Sequence, residues 1–242
     1  MHERAPISRV GDPAGPGAAL SSDDFHGQLH KRMSLLDRAL GDPGVTLVAI
    51  DLASVESYLL ACPLSDLAVE RDGALWCPLP SAPAALDLDL HAAMAHARRL
   101  RLPFVPPARH PAPAPTAMRI AALAAARSRG AIFTVLATRL AWSTGADLDR
   151  LQFGAGLEDS EPDEDPEGYL RLLAREIGLD VGAAKRAARA GSPWDLELRA
   201  LAADLERAGI HAAPALRWRG EVHTGLRAIC AVLEERGGAP RR

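Results

Sequence analysis

Three cysteines in 242 residues, none of them in a C-x-x-C pair, remove most thiol–disulfide chemistry from this chain at the outset. Cys62, Cys77 and Cys230 are an odd count, which speaks against a disulfide framework. The paired arrangement, in which a helix N-terminus acidifies one thiol and a neighbour resolves the mixed disulfide, has no counterpart here. Cys62 is expected past the first turn of a helix and Cys77 in a strand, both as buried structural thiols. Aromatic residues are scarce, 4% against 48% hydrophobic overall, so the interior is rich in alanine and leucine and heavy in helix. No apolar stretch approaches the roughly 18 residues of a membrane span. The N-terminal M-H-E-R-A-P-I-S-R-V-G-D-P lacks the apolar core of a signal peptide, which predicts a cytoplasmic protein. A net charge of −3 gives no field that would gather nucleic acid or an anionic membrane.

What is present organises itself in order along the chain. Residues 1–22 are rich in Gly, Pro, Ala and Ser and read as disordered, and residues 25–40 carry Leu29, Met33, Leu36 and Leu40 at helical spacing. Val45 to Leu52 is a nearly continuous aliphatic run, the pattern of a strand buried on both faces. Glu56 to Val69 follows as a helix with Pro63 as a local irregularity, and Ala74 to Leu79 as a second strand. Joined this way, the two strands should be parallel, with a right-handed crossover. Helices are then expected over 86–101, 116–129, 131–142, 168–177, 181–190 and 194–208. Strands over 213–218 and 221–224 and a helix over 226–236 complete the pattern. The acidic run Glu158 to Glu167 is broken by Pro162 and Pro166, which hinder a compact ligand cage, and reads as a solvated loop rather than a metal site.

Two short segments about 150 residues apart carry the functional signal. Val45 to Leu60 reads V-T-L-V-A-I-D-L-A-S-V-E-S-Y-L-L, a strand that ends at Asp51 with Ser54 where a helix begins. Gly209 to Gly225 reads G-I-H-A-A-P-A-L-R-W-R-G-E-V-H-T-G, a Pro-led hairpin leading into a last helix. Together they resemble the two halves of a thioredoxin fold, in the branch where a large helical insertion separates them. That branch is the DsbA-like proteins, including 2-hydroxychromene-2-carboxylate isomerase and kappa-class glutathione transferase. Its first site has the pattern D-F-x-S-P-(Y/F)-S-Y-L, matched in register by Asp51, Ser54, Ser57, Tyr58 and Leu59. The loop R-L-P-F-V-P-P-A-R-H-P (101–111) and the element formed by Trp142, Gly145, Asp147 and Leu148 also resemble the branch.

The resemblance implies an α/β, thioredoxin-like fold over residues 45–80 and 195–236, interrupted by an all-helical insertion over 81–194. It implies a glutathione-linked isomerase or transferase acting on a small-molecule substrate, and a homodimer. Ser54 would be the catalytic residue, its hydroxyl adding a hydrogen bond to a thiolate that the helix N-terminus already stabilises. In the related isomerases the thiolate is thought to add to a conjugated substrate, permit bond rotation, and leave. Pro214 would be cis, freeing the backbone of Ala213 to pair with the tripeptide. Val55, Glu56, Thr224 and Gly225 would complete the glutathione contacts.

The sequence departs from that pattern at three places. Val55-Glu56 stand where the family has Pro-(Tyr/Phe), and a carboxylate there repels a thiolate and raises its pKa. Thr224-Gly225-Leu226-Arg227 replace G-(S/Q)-D-R, losing the Asp that takes the γ-glutamyl amine. The Asn that relatives use after the second strand is missing, because the chain contains no Asn at all. Two alternatives therefore stay open beside the enzyme: a non-catalytic scaffold with a degenerate glutathione site, and, last, a thiol–disulfide oxidoreductase. Ser54 could equally be an ordinary N-cap, and the two roles are compatible. Among the histidines, His26 and His30 lie four apart without a third ligand and read as a solvated pair. His110 and His211 are candidates to line the pocket.

Overall fold

A computed structural model describes residues 41–70, 74–81, 90–108, 110, 113–148 and 169–235. The expected helix over 25–40 and the acidic run at 158–167 lie outside them. Along the described chain, β1 (Leu47–Ile50), α1 (Val55–Glu70) and β2 (Leu75–Pro78) come first. Five helices follow: α2 (Leu90–Arg99), α3 (Pro115–Ala126), α4 (Gly130–Thr144), α5 (Tyr169–Glu176) and α6 (Val181–Ala188). The chain then returns through α7 (Pro193–Arg207), β3 (Ala215–Trp218), β4 (Glu221–Thr224) and α8 (Gly225–Glu235).

The four strands form one sheet in the order β2-β1-β3-β4. β1 pairs parallel to β2, as a strand–helix–strand unit requires, with Leu47 opposite Leu75 and Ile50 opposite Pro78. It pairs antiparallel to β3, with Ala49 opposite Ala215 and Leu47 opposite Arg217. The β3–β4 hairpin closes through Arg219 and Gly220, both at positive φ.

β1 explains why its sequence is a continuous apolar run. Successive side chains of a strand point to opposite faces. Val48 and Ile50 enter the main core, with α1 and the inserted helices, while Leu47 and Ala49 enter a second cluster with Leu201, Leu205 and Ile210. The strand is covered on both sides, by α1 on one and α7 on the other. α1 runs unbroken through Pro63 and packs against α4, α8 and α2. α3 in turn meets α4, α6 and α7. A half-buried ion pair spans that arrangement: Arg119 Nε donates to Asp195 Oδ1 at 2.6 Å, and Arg119 also donates to the Ala188 carbonyl.

Gly130, the first residue of α4, sits where helix meets sheet. A Cβ there would lie 2.8 Å from Trp76 Cβ and 3.2 Å from Ala125 Cα. Real Cβ contacts essentially never reach 2.8 Å, so one of the two elements must move. Gly130→Ala should destabilise the fold by about 1–3 kcal/mol, the usual cost of overpacking, seen as a lower urea midpoint at unchanged m-value.

Candidate functional site

The site is assembled at the sheet end where β1 stops and β3 starts. Ser54 caps α1: its Oγ accepts the Ser57 N–H at 3.3 Å, and its own N–H donates to the Asp51 carbonyl at 3.1 Å. Ser57 closes the loop by accepting the Asp51 N–H on its Oγ at 3.3 Å. Ser54 is only 3% exposed, and its neighbours Ala53 and Val55 are buried as well.

On the other side, the Ala213–Pro214 peptide is cis. Ala213 is half-buried and Pro214 buried. The Pro214 carbonyl accepts the Gly225 N–H at 2.9 Å, which ties the start of β3 to the start of α8. Gly225 holds φ at +81°, a conformation that favours glycine. Thr224 is exposed at the end of β4.

Glu56 joins the two sides. Its Oε2 accepts the N–H of Leu226 at 3.2 Å, across 170 residues of chain. A carboxylate on an unpaired N–H in the first turn of a helix is the favourable arrangement for an anion. Ser54, Glu56, Leu226, Gly225 and Pro214 thus form one connected set. The negative charge also reaches neighbouring helices. Burial, then the carboxylates of Glu234 and Glu56, push the Cys230 thiol up. Burial and the Arg99 cation push His96 down, with Glu56 pulling the other way.

Other residues that the sequence singled out near this end take up specific contacts. Asp51 is buried, and its carboxylate accepts the Ala53 N–H at 2.9 Å and the Ser81 N–H at 2.7 Å. Burial raises its pKa above the ordinary carboxylate value, against the lowering pull of those hydrogen bonds. Tyr58 hydroxyl donates to the Pro103 carbonyl at 2.5 Å and lies 3.1 Å from Ser143 Oγ, linking α1 to the 101–111 loop and to α4. His211 is exposed, whereas His110 stands edge-on to Trp142 at 5.3 Å between ring centres.

The thiols agree with expectation in part. Cys77 is buried in β2, but Cys62 is only half-buried and receives the Arg139 Nη2 at 3.3 Å. The expectation of a fully buried Cys62 is corrected: α1 leaves that side of the helix open enough for the arginine. Among the described residues no group of three or more His, Cys, Asp or Glu could hold a metal ion. No described helix is long and apolar enough to cross a membrane.

The parallel β1–α1–β2 unit, the antiparallel β3–β4 hairpin opened by a cis-proline, and the helices between them define a thioredoxin-type α/β fold of the DsbA-like kind. Among the solved structures similar to it are two of low sequence identity. One is 2-hydroxychromene-2-carboxylate isomerase, with a TM-score of 0.61 and 15% identity over 80% of this chain and 94% of that one. The other, with a TM-score of 0.53 and 14% identity over 79% and 96%, is a candidate protein disulfide isomerase from Nitrosomonas europaea. No family profile and no curated protein matches the sequence.

Proposed function

We propose that this protein is a glutathione-linked isomerase or transferase of the DsbA-like kind, acting on a small molecule as a cytoplasmic homodimer. The observation that carries the reading is the convergence of Ser54, at the start of α1, with the cis Ala213–Pro214 peptide and the start of α8. When bound, glutathione supplies a sulfur nucleophile. The chain's own residues would orient it: the Ser54 hydroxyl and the α1 N-terminus at the sulfur, the Ala213 backbone along the peptide. Val55, Glu56, Thr224 and Gly225 border the same place. The likeness in fold to 2-hydroxychromene-2-carboxylate isomerase supports the isomerase arm. The absence of any C-x-x-C pair in the sequence speaks against disulfide exchange, whatever the second structural neighbour does.

The donor set fits glutathione only in part. It can meet the sulfur and the main chain, but the helix-start N–H suited to a ligand carboxylate already holds Glu56. That observation favours a second reading, a non-catalytic scaffold with a degenerate glutathione site. Isothermal titration with glutathione and its S-alkyl derivatives separates the two. Measurable heat that is lost in Ser54→Ala supports the enzyme, and no heat at millimolar ligand defeats it.

A further inference from the structure

The sheet is covered unequally on its two faces. On the side of α1 and the inserted helices, Val48, Ile50 and Leu216 are closed off from solvent. On the α7 side, Leu47, Ala49 and Ala215 are buried in one cluster with Leu201 and Leu205, but its rim is only partly buried, at Val45, Leu75, Ala213 and Val222. Three of these, Val45, Ala213 and Val222, lie toward the β3–β4 hairpin. The chain enters the sheet at that place. A Cβ on Gly220 would lie 3.2 Å from Pro43 Cβ, so Pro43 rests against the hairpin turn. The Val45 N–H donates to the Asp42 carbonyl at 3.2 Å, and the Gly44 N–H to Asp42 Oδ1 at 2.8 Å, which makes residues 42–45 a chain-reversing turn. The residues ahead of it therefore head back along β1, toward the end where Ser54 and Pro214 meet.

We propose that this half-open rim is the docking surface for residues 25–40 of the same chain, laid as a helix beside α7 and over the β3–β4 hairpin. Those residues lie outside the described ones, and three observations select them as the occupant. The first is pattern: Leu29, Met33, Leu36 and Leu40 fall on one stripe of a helix, an apolar face that needs a surface to cover it. The second is reach. A helix over 25–40 would measure about 24 Å, and the extended chain from Val45 to Leu52 measures about 26 Å. Joined by the turn at 42–45 alone, the segment spans the face from the hairpin to Ala213, so Phe25 comes to border the candidate site. The third is charge. α7 carries Asp195, Glu197, Asp204 and Glu206 against Arg199 and Arg207, whereas the segment brings Lys31, Arg32 and Arg38 against Asp37. Opposite signs meet when the segment lies beside α7. A second copy of the chain docked on the same rim would instead set one acidic α7 against another. The opposite face of the sheet does not compete, because its strand residues are already closed off.

The test uses the full-length protein with ¹³C-labelled methyl groups. Its sequence has four methionines, so the Met33 methyl resonance can be assigned by its loss in Met33→Leu. That methyl should show nuclear Overhauser contacts to the methyl groups of Val222 and Val45. A Met33 signal at the shift of a solvated methionine, with no contact to either valine, overturns the proposal. So does a contact that, in a mixture of labelled and unlabelled protein, runs only between different chains, because the rim would then hold a second copy. Met33→Asp puts a charge on the docking stripe and should speed hydrogen exchange of the Val45 amide by about tenfold, as the turn at 42–45 loosens. Unchanged exchange in a folded Met33→Asp protein counts against docking. If that variant does not fold, the Overhauser contacts of the unaltered protein decide alone.

Discussion

Glu56→Ala should bind glutathione about tenfold more tightly than the unaltered protein. The gain has a specific origin. A ligand carboxylate seeking the free N–H at the start of α8 must first displace Glu56 from Leu226, and a hydrogen bond to a charged group is worth about 1.5–3 kcal/mol. Removing the side chain removes that competitor, and with it the repulsion felt by a thiolate at Ser54, two residues away. Glu56→Gln should gain less, because its amide oxygen still accepts from Leu226 while the charge is gone. The variant should also be less stable, by about 0.5–2 kcal/mol, as when a helix loses a cap. Calorimetric titration and thermal unfolding of the three proteins measure both effects. Lower stability without higher affinity would mark Glu56 as a structural clasp and nothing more.

Asp51 should matter more to stability than any other single polar side chain at this end of the sheet. Asp51→Ala leaves the Ala53 and Ser81 N–H groups without their acceptor, at a cost of about 2–4 kcal/mol for the pair. The pH dependence has a definite sign. Burial raises the folded-state pKa above the ordinary 3.8, so the folded protein keeps this proton to higher pH than the unfolded chain does. The unfolded state then releases its proton first. Stability attributable to Asp51 is greatest below pH 3.8, falls as pH rises through the raised value, and is level above it. Asp51→Asn cannot titrate, and it presents an amide NH₂ to one of the two N–H groups. It should therefore be less stable than the unaltered protein at low pH, by a margin that narrows as pH climbs. Urea unfolding across a pH series reads that margin, and a gap that widens instead would refute the assignment.

The fold was legible where local pattern and long-range packing demand the same thing. The run from Val45 to Leu52 announced a strand covered on both sides, and Leu47 and Val48 do enter opposite clusters. Proline and glycine punctuation placed the ends of most helices within a few residues: α7 runs from Pro193 to Arg207 against an expected 194–208. The candidate site was read from the sequence as a set of positions, and its bonds were not readable there. Glu56 in the first turn of a helix looks like a partner for its own dipole, yet the side chain serves another helix 170 residues away. No local rule reveals such a contact. Cys62 was misjudged for a related reason. α1 buries Val55, Tyr58, Leu59, Leu60, Ala61 and Leu64, apolar residues nearly all round, so the sequence does not disclose which stripe faces Arg139.

α1 touches the inserted helices through α4 and the C-terminal half through α8, and it begins at Ser54. Its 16 residues make a rod of about 24 Å at 1.5 Å per residue. Held between two neighbours, the rod takes its direction from their packing, so a shift of α4 would turn the hydroxyl at its tip. Aim at this end of the molecule is therefore set from a distance, and reshaping the far wall of the insertion would retune it without touching one atom of the site.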